Sequence, residues 1–140
     1  MFNNILLGVD GSEHALRAAQ TAGNLARAMK SETLRVVVAF EFIPPYLGEP
    51  NLQTVIATRT GDAEKILDHA LEAVGEIPGE IHREMLEGSP AEAILDVAGT
   101  RQVDLIVMGS RGLGKLSGLL LGSQSQKVVQ HAKCPVLIVK

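Results

Sequence analysis

Aromatic side chains are nearly missing from this chain, which has no tryptophan, one tyrosine and three phenylalanines in 140 residues. That scarcity excludes single-strand nucleic-acid binding by base stacking, which needs a platform of rings. A surplus of positive charge is missing too. The formal net charge is −3, whereas duplex binding rests on many Lys and Arg contacts to phosphates. With a single cysteine, Cys134, there can be no intrachain disulfide, and the usage suits a reducing compartment. No apolar run approaches the ~20 residues needed to cross a bilayer. The opening MFNNILLGVDGS lacks a basic start, and its apolar run stops at Gly8 and Asp10, unlike an export signal. The expectation is a cytoplasmic protein with neither nucleic acid nor membrane as partner. Metal-ligand spacings such as H-E-x-x-H and C-x-x-C are absent. No Ser-His-Asp set is assignable, because no nucleophile is pinned beside a base.

What is present is a globular balance, 46% apolar and 21% charged, read as one domain over residues 1–140. Four continuous apolar runs read as buried strands: ILLGV (5–9), LRVVVAF (34–40), DLIVMG (104–109) and PVLIVK (135–140). Continuity rather than alternation is expected where helices cover both faces of a parallel sheet. EIHREMLEG (80–88) is weaker and is expected as an edge strand.

Helical patterns lie between these runs. Residues 13–29 put Ala15, Ala18, Ala19, Ala22, Leu25, Ala26 and Met29 on one face, with Ser12 as cap. Residues 62–76 align Ile66, Leu67, Ala70 and Val74 after a capping Asp62. SPAE at 89–92 offers a cap, a proline for the first helical position and a capping-box glutamate. The helix after it is expected to end near Gly99, and a last helix to run from Gly122–Ser123 to about His131. Segment 43–61, with Pro44, Pro45, Gly48 and Pro50, is expected as a long connection. The alternation gives an α/β layered sandwich around a mostly parallel sheet. In such sheets ligands sit at the carboxyl ends of the strands, where strand order reverses.

At one of those ends stands GSRGLGKL, residues 109–116. It nearly spells the phosphate loop G-x-x-x-x-G-K-[ST], but Leu116 occupies the place of the Mg²⁺-binding hydroxyl. Gly118 and Gly122 are poor helix interior, each costing about 1 kcal/mol relative to Ala. The loop therefore continues to Gly122-Ser123 instead of closing into a helix at Lys115.

Over its full length, GSRGLGKLSGLLLGSQSQKVV (109–129) has Gly109, Gly112, nine residues and then Gly122-Ser123. This G-x-x-G-(nine)-G-[ST] arrangement resembles the nucleotide-binding signature of the universal stress protein family. ILLGVDGSEHALRAA, EGSPAEAIL, DLIVMGSRG and CPVLIVK are similar to further stretches of that family, in the same order. The resemblance implies a five-stranded sheet of order 3-2-1-4-5 with helices on both faces. It implies an ATP site, with Mg²⁺ carried by the phosphates, formed by Gly8, Asp10, Phe40, Met108, Gly109, Arg111, Gly112, Gly122, Ser123, Gln124 and Ser125. It also implies a homodimer through the terminal strand 135–140, and a protein partner not identified by the sequence.

The residues themselves support part of this. Gly109 and Gly112 allow close backbone approach and positive φ. The hydroxyls of Ser123 and Ser125 and the helix start near Gly122 favour an anion. Asp10 either accepts from a ribose hydroxyl or adenine amine, or binds backbone N–H groups at the start of the helix. Phe40 either covers a base or packs in the core; Gly8 and Met108 either line the pocket or pack. Arg111, Lys115 and Lys127 are nearby charges or solvated ones, and His14 is within sequence reach of a phosphate. Gln124 departs from the family pattern, which has an apolar residue there, and puts the packing of the helix start in question. Leu113, Leu116, Leu119, Leu120 and Leu121 fold onto the site or form a subunit contact.

Three functions follow as expectations: an ATP-binding stress-response regulator with slow or no hydrolysis, a dimeric interaction module without nucleotide, or a nucleotide hydrolase or transferase. No base or water-orienting residue is positioned for phosphoryl transfer, so robust catalysis is not expected. A receiver-like switch would need an acidic cluster after the first strand, and only Asp10 is there.

Overall fold

The computed structural model describes residues 1–40, 48, 51–111 and 121–140. Among them strands and helices alternate: β1 (Asn4–Val9), α1 (Glu13–Met29), β2 (Thr33–Phe40), α2 (Asn51–Val74), β3 (Glu80–Glu87), α3 (Pro90–Thr100), β4 (Leu105–Gly109), α4 (Ser123–His131) and β5 (Val136–Val139). The strands pair in the order β3-β2-β1-β4-β5, and every pairing is parallel. This is the expected 3-2-1-4-5 sheet. Its order reverses between β1 and β4, the place where such sheets form a crevice.

Period-two alternation divides each inner strand between two cores. Ile5, Leu7 and Val9 of β1, Leu34, Val36 and Val38 of β2, and Leu105 and Val107 of β4 pack with the alanine face of α1 and with α2. Leu6, Val37, Ile106 and Met108 point the other way, to α3 and α4. Both faces are covered, so the inner strands are continuously apolar except at their starts, where Asn4, Thr33 and Arg35 are half-buried. β3 lies at an edge and alternates between exposed and half-buried residues, as expected of its weaker run.

The caps follow the sequence. Ser12 Oγ accepts from Ala15 N–H at 3.1 Å to start α1, and Ser89 Oγ accepts from Glu92 N–H at 3.4 Å to start α3. Arg27 Nη1 donates to the carbonyls of Val74 (2.7 Å) and Glu76 (2.9 Å), closing the end of α2. Gly88 holds φ +128° between β3 and α3, a conformation that a Cβ opposes.

One element differs from expectation. α2 begins at Asn51, not Asp62, and Asp62 lies within the helix. Leu52 N–H already donates to Gly48 O at 2.7 Å. The prolines end at Pro50, so nothing beyond it obstructs helical hydrogen bonds. Gly61 weakens the helix locally but is flanked by full turns on both sides, and a Cβ there would meet nothing within 4 Å. Residues 41–47, 49–50 and 112–120, including Gly112 and Leu113–Leu120, lie outside the described residues.

A cleft at the reversal of strand order

The ends of β1 and β4 and the starts of α3 and α4 enclose a cavity of about 270 Å³. Strand parity decides which expected site residues reach it by side chain. Gly8 and Met108 share the parity of Leu6 and Ile106 and face α3. A Cβ on Gly8 would come within 2.6 Å of Ile94 Cδ1, so its missing side chain admits the tip of Ile94 as part of the wall. Val37, Ala39, Pro90 and Ile94 also line the space and give it an apolar end. They escaped sequence reading because strand and helix interiors carry no distinguishing signal for a pocket.

Phe40 is placed differently. Its side chain packs with the core shared by α1 and α2, on the other face of the sheet, while neighbouring Ala39 lines the cavity. Phe40 O accepts from Gly88 N–H at 2.8 Å.

Gly109 lines the cavity, but its lack of a side chain serves the opposite face. A Cβ would lie 2.8 Å from His14 Cβ, 2.9 Å from His14 C and 3.1 Å from Ala15 N. Nor is Gly109 among the glycines at positive φ, which in the described residues are Gly11, Gly48, Gly75 and Gly88. The glycine therefore seats α1 against β4.

The polar end is built from α4. Gly122 is its N-cap, with φ −61° and ψ 155°, no side-chain cap and no acidic residue in the first turn. The first N–H groups of a helix lack intrahelical acceptors, so this end attracts an anion. Ser123, Gln124, Ser125 and Arg111 line the cavity here. Gly122 N–H donates to Ser110 O at 2.8 Å, which ties the helix start to the end of β4. Ser125 is 3% exposed, and its hydroxyl donates to Gly109 O at 2.9 Å. It is thus first a clamp between α4 and β4. Gln124 Oε1 accepts from Ala91 N–H at 3.0 Å. The departure from the family pattern is resolved as a polar bridge between the starts of α4 and α3.

Asp10 lines the cavity and also makes the local bond: its Oδ1 accepts from Ser12 N–H at 2.9 Å. His14 lies behind β4. Its Nε2 is 3.3 Å from Arg111 Nη2 and its Nδ1 is 2.8 Å from Ser110 Oγ. A guanidinium only donates, so Nε2 accepts and Nδ1–H donates to Ser110. With its proton directed at Ser110, the ring does not draw a proton from that hydroxyl. Among the described residues no group of three or more His, Cys, Asp or Glu could hold a metal ion, and no helix is long and apolar enough to cross a membrane.

The parallel order and the crevice at its reversal place the chain among open, doubly wound α/β domains. The profile of the universal stress protein family matches residues 1–140. The chain belongs to that family. A universal stress protein of Thermus aquaticus is 50% identical over the whole of both chains. The solved structure of universal stress protein UspA from Lactobacillus plantarum is 26% identical, covers 99% of this chain and 98% of its own, and has a TM-score of 0.85. A universal stress protein solved in complex with cAMP is 27% identical, covers 97% of this chain and 95% of its own, and has a TM-score of 0.71.

Proposed function

We propose that this universal stress protein binds an adenine nucleotide in the cleft, with ATP as the ligand and Mg²⁺ carried on its phosphates. The observation that carries the reading is the uncapped start of α4 facing a cavity whose other end is apolar. One end suits phosphates and the other a base. Asp10 at the end of β1 supplies an acceptor for ribose hydroxyls or the adenine amine. The metal is assigned to the phosphates because the described carboxylates do not gather into a site of their own.

In this reading the nucleotide acts as a signal. Its occupancy biases the 109–125 segment and, through it, a homodimer surface at residues 135–140 and a protein partner, in the cytoplasm. The chain is proposed as a single domain, with hydrolysis slow or absent. A second reading, a single-phosphate ligand such as cAMP, is favoured by the related structure solved with cAMP.

A thermal-shift panel on nucleotide-stripped protein separates these readings, using ATP with and without Mg²⁺, ADP, AMP, cAMP and GTP. A ligand at ~100 times its Kd adds about 2.7 kcal/mol, several degrees for a chain near this size. The largest shift with ATP supports the first reading, and the largest with cAMP the second. No shift with any nucleotide transfers the proposal to a nucleotide-free interaction module. Gly122→Val locates the site. The backbone at Gly122 suits a branched residue, so the variant should fold and lose the ATP response by obstruction.

A further inference from the structure

The two helices on the cleft side of the sheet carry opposite charge on their outer surfaces. α3 and α4 lie side by side. The Gln124 to Ala91 bond joins their starts, and Val128 shares a core with Ala91, Ile94 and Val97. On α3 the exposed Glu92, Asp96 and Gly99 and the half-buried Leu95 fall at i, i+4, i+7 and i+3. That spacing puts them on one face, turned away from the sheet. Two of them are acidic, and α3 has no basic residue. On α4 Gln124, Lys127 and His131 fall at i, i+3 and i+7. Gln124 reaches α3, so the exposed Lys127 and His131 follow it along the flank beside α3. The turn after α4 adds the exposed Lys133, and neither it nor the helix has an acidic residue.

These charges are not used inside the chain. Among the described residues Glu92, Asp96, Lys127, His131 and Lys133 enter no ion pair. Glu92 and Asp96 stand at i, i+4, where like charges repel. Two uncharged features of the same surface also lack a purpose within one copy. Leu95 packs against neither core. Gly99 holds a helical position where glycine is a weak choice, although its φ is not positive and a Cβ there would meet nothing within 4 Å. A glycine with open space above it leaves the backbone free for close approach by another surface.

Symmetry and charge select the occupant. A two-fold axis running between α3 and α4, parallel to both, lays α3 of one copy over α4 of the other and repeats the contact on the far side. Each acidic row then meets a basic one, with Leu95 and Gly99 inside the contact. We propose that the outer face of α3 and α4 is a self-complementary docking surface for a second copy of this chain. The contact uses none of residues 135–140, so it adds to the homodimer proposed there and links such dimers to one another. It is independent of the nucleotide reading.

The test is sedimentation velocity over a dilution series, in about 50 mM and about 500 mM NaCl. Wild type is compared with Glu92→Lys/Asp96→Lys, with Lys127→Glu/Lys133→Glu, with the chain carrying both pairs, and with Gly99→Leu. Thermal melts verify folding. Reversing one row is expected to raise the dissociation constant of this contact roughly tenfold to a hundredfold. Reversing both rows in one chain restores complementarity and should return the constant to the wild-type value. The higher salt should weaken wild type. Gly99→Leu should keep or raise Tm, because leucine is the better helix residue, and lose the association by obstruction. Wild-type constants in both single-row variants would overturn the proposal, since association would then run through other surfaces only. So would failure of the doubly reversed chain to recover, or association of Gly99→Leu as tight as that of wild type. Wild type that stays monomeric across the series at the lower salt would overturn it too, and would leave the nucleotide reading standing.

Discussion

The same small change at two strand ends should have opposite consequences. Gly8 and Gly109 both border the cleft, but their absent side chains face different layers. At Gly109 an added methyl meets the backbone of α1: His14 C at 2.9 Å and Ala15 N at 3.1 Å, besides His14 Cβ at 2.8 Å. Backbone cannot rotate away, so α1 or β4 must move. Overpacking of that kind costs about 1–3 kcal/mol. For a chain of this size each kcal/mol moves Tm by roughly 3–5 °C. Gly109→Ala should thus melt about 3–15 °C below wild type with no ligand present. At Gly8 the added methyl meets the tip of Ile94, Cδ1 at 2.6 Å and Cγ1 at 3.3 Å. That tip can swing into the cavity for roughly 0.5–1.5 kcal/mol of rotamer cost. Gly8→Ala should therefore stay within about 7 °C of wild type and lose nucleotide affinity, because Ile94 now occupies the space. Removing Cδ1 with Ile94→Val in the Gly8→Ala background should restore binding. Melts of the apo proteins followed by ATP titration read both quantities. The reasoning is refuted if Gly109→Ala melts like wild type, or if Gly8→Ala is the less stable of the two.

Three other outcomes follow from the packing. Ser125→Ala leaves the Gly109 carbonyl unsatisfied in a buried position; a loss of about 1–3 kcal/mol is expected in urea unfolding, and an unchanged midpoint would remove the clamp role. Gly23→Ala places a methyl 2.2 Å from Val74 O, where α1 crosses the end of α2; it should be among the most destabilising alanine substitutions, and a melt within 2 °C of wild type would contradict the close crossing. Burial first, and the Asp104 carboxylate second, push the Cys134 thiol pKa up. The folded state thus holds this proton more tightly, and that small stabilisation is lost as pH rises through the raised pKa. Iodoacetamide should accordingly modify Cys134 more slowly than a free thiol at pH 8; modification at the free-thiol rate would show the site to be open.

Much of the fold was legible because local and global signals agree. Ser12, Ser89 and Pro90 mark helix starts, and the inner strands are apolar on both faces. The early start of α2 was hidden by a cluster of prolines that stops at Pro50 and by a Gly61-Asp62 pair that mimics a boundary. Its first turns also bury little: Ala63 is the first of its residues to be fully buried, so residues 51–61 lack a strong amphipathic stripe. The site was legible as a set of strand-end and helix-start positions. The division of labour inside the set was not. Parity could have supplied part of it: Gly109 is in phase with Leu105 and Val107, and Phe40 with Val36 and Val38, all pointing to α1 and α2. The bonds of Ser125 to Gly109 and of Gln124 to Ala91 join residues 16 and 33 positions apart, and no local pattern announces such pairs.

The position of Gly109 gives this protein a two-sided address system. On one side of the sheet its missing side chain admits α1; in the plane of the sheet its carbonyl receives Ser125; on the other side its neighbour Met108 faces the cleft. A designer seeking a different ligand therefore has a narrow set of editable positions: Gly8, Val37, Ile94, Met108 and Gln124, all on the α3 and α4 layer. Changes in phase with Gly109 would disturb the scaffold before they reached the ligand. Because Val37, Ile94 and Met108 are at once cleft wall and buried core, a change made there for the proposed ligand is also felt by the packing of α3 and α4.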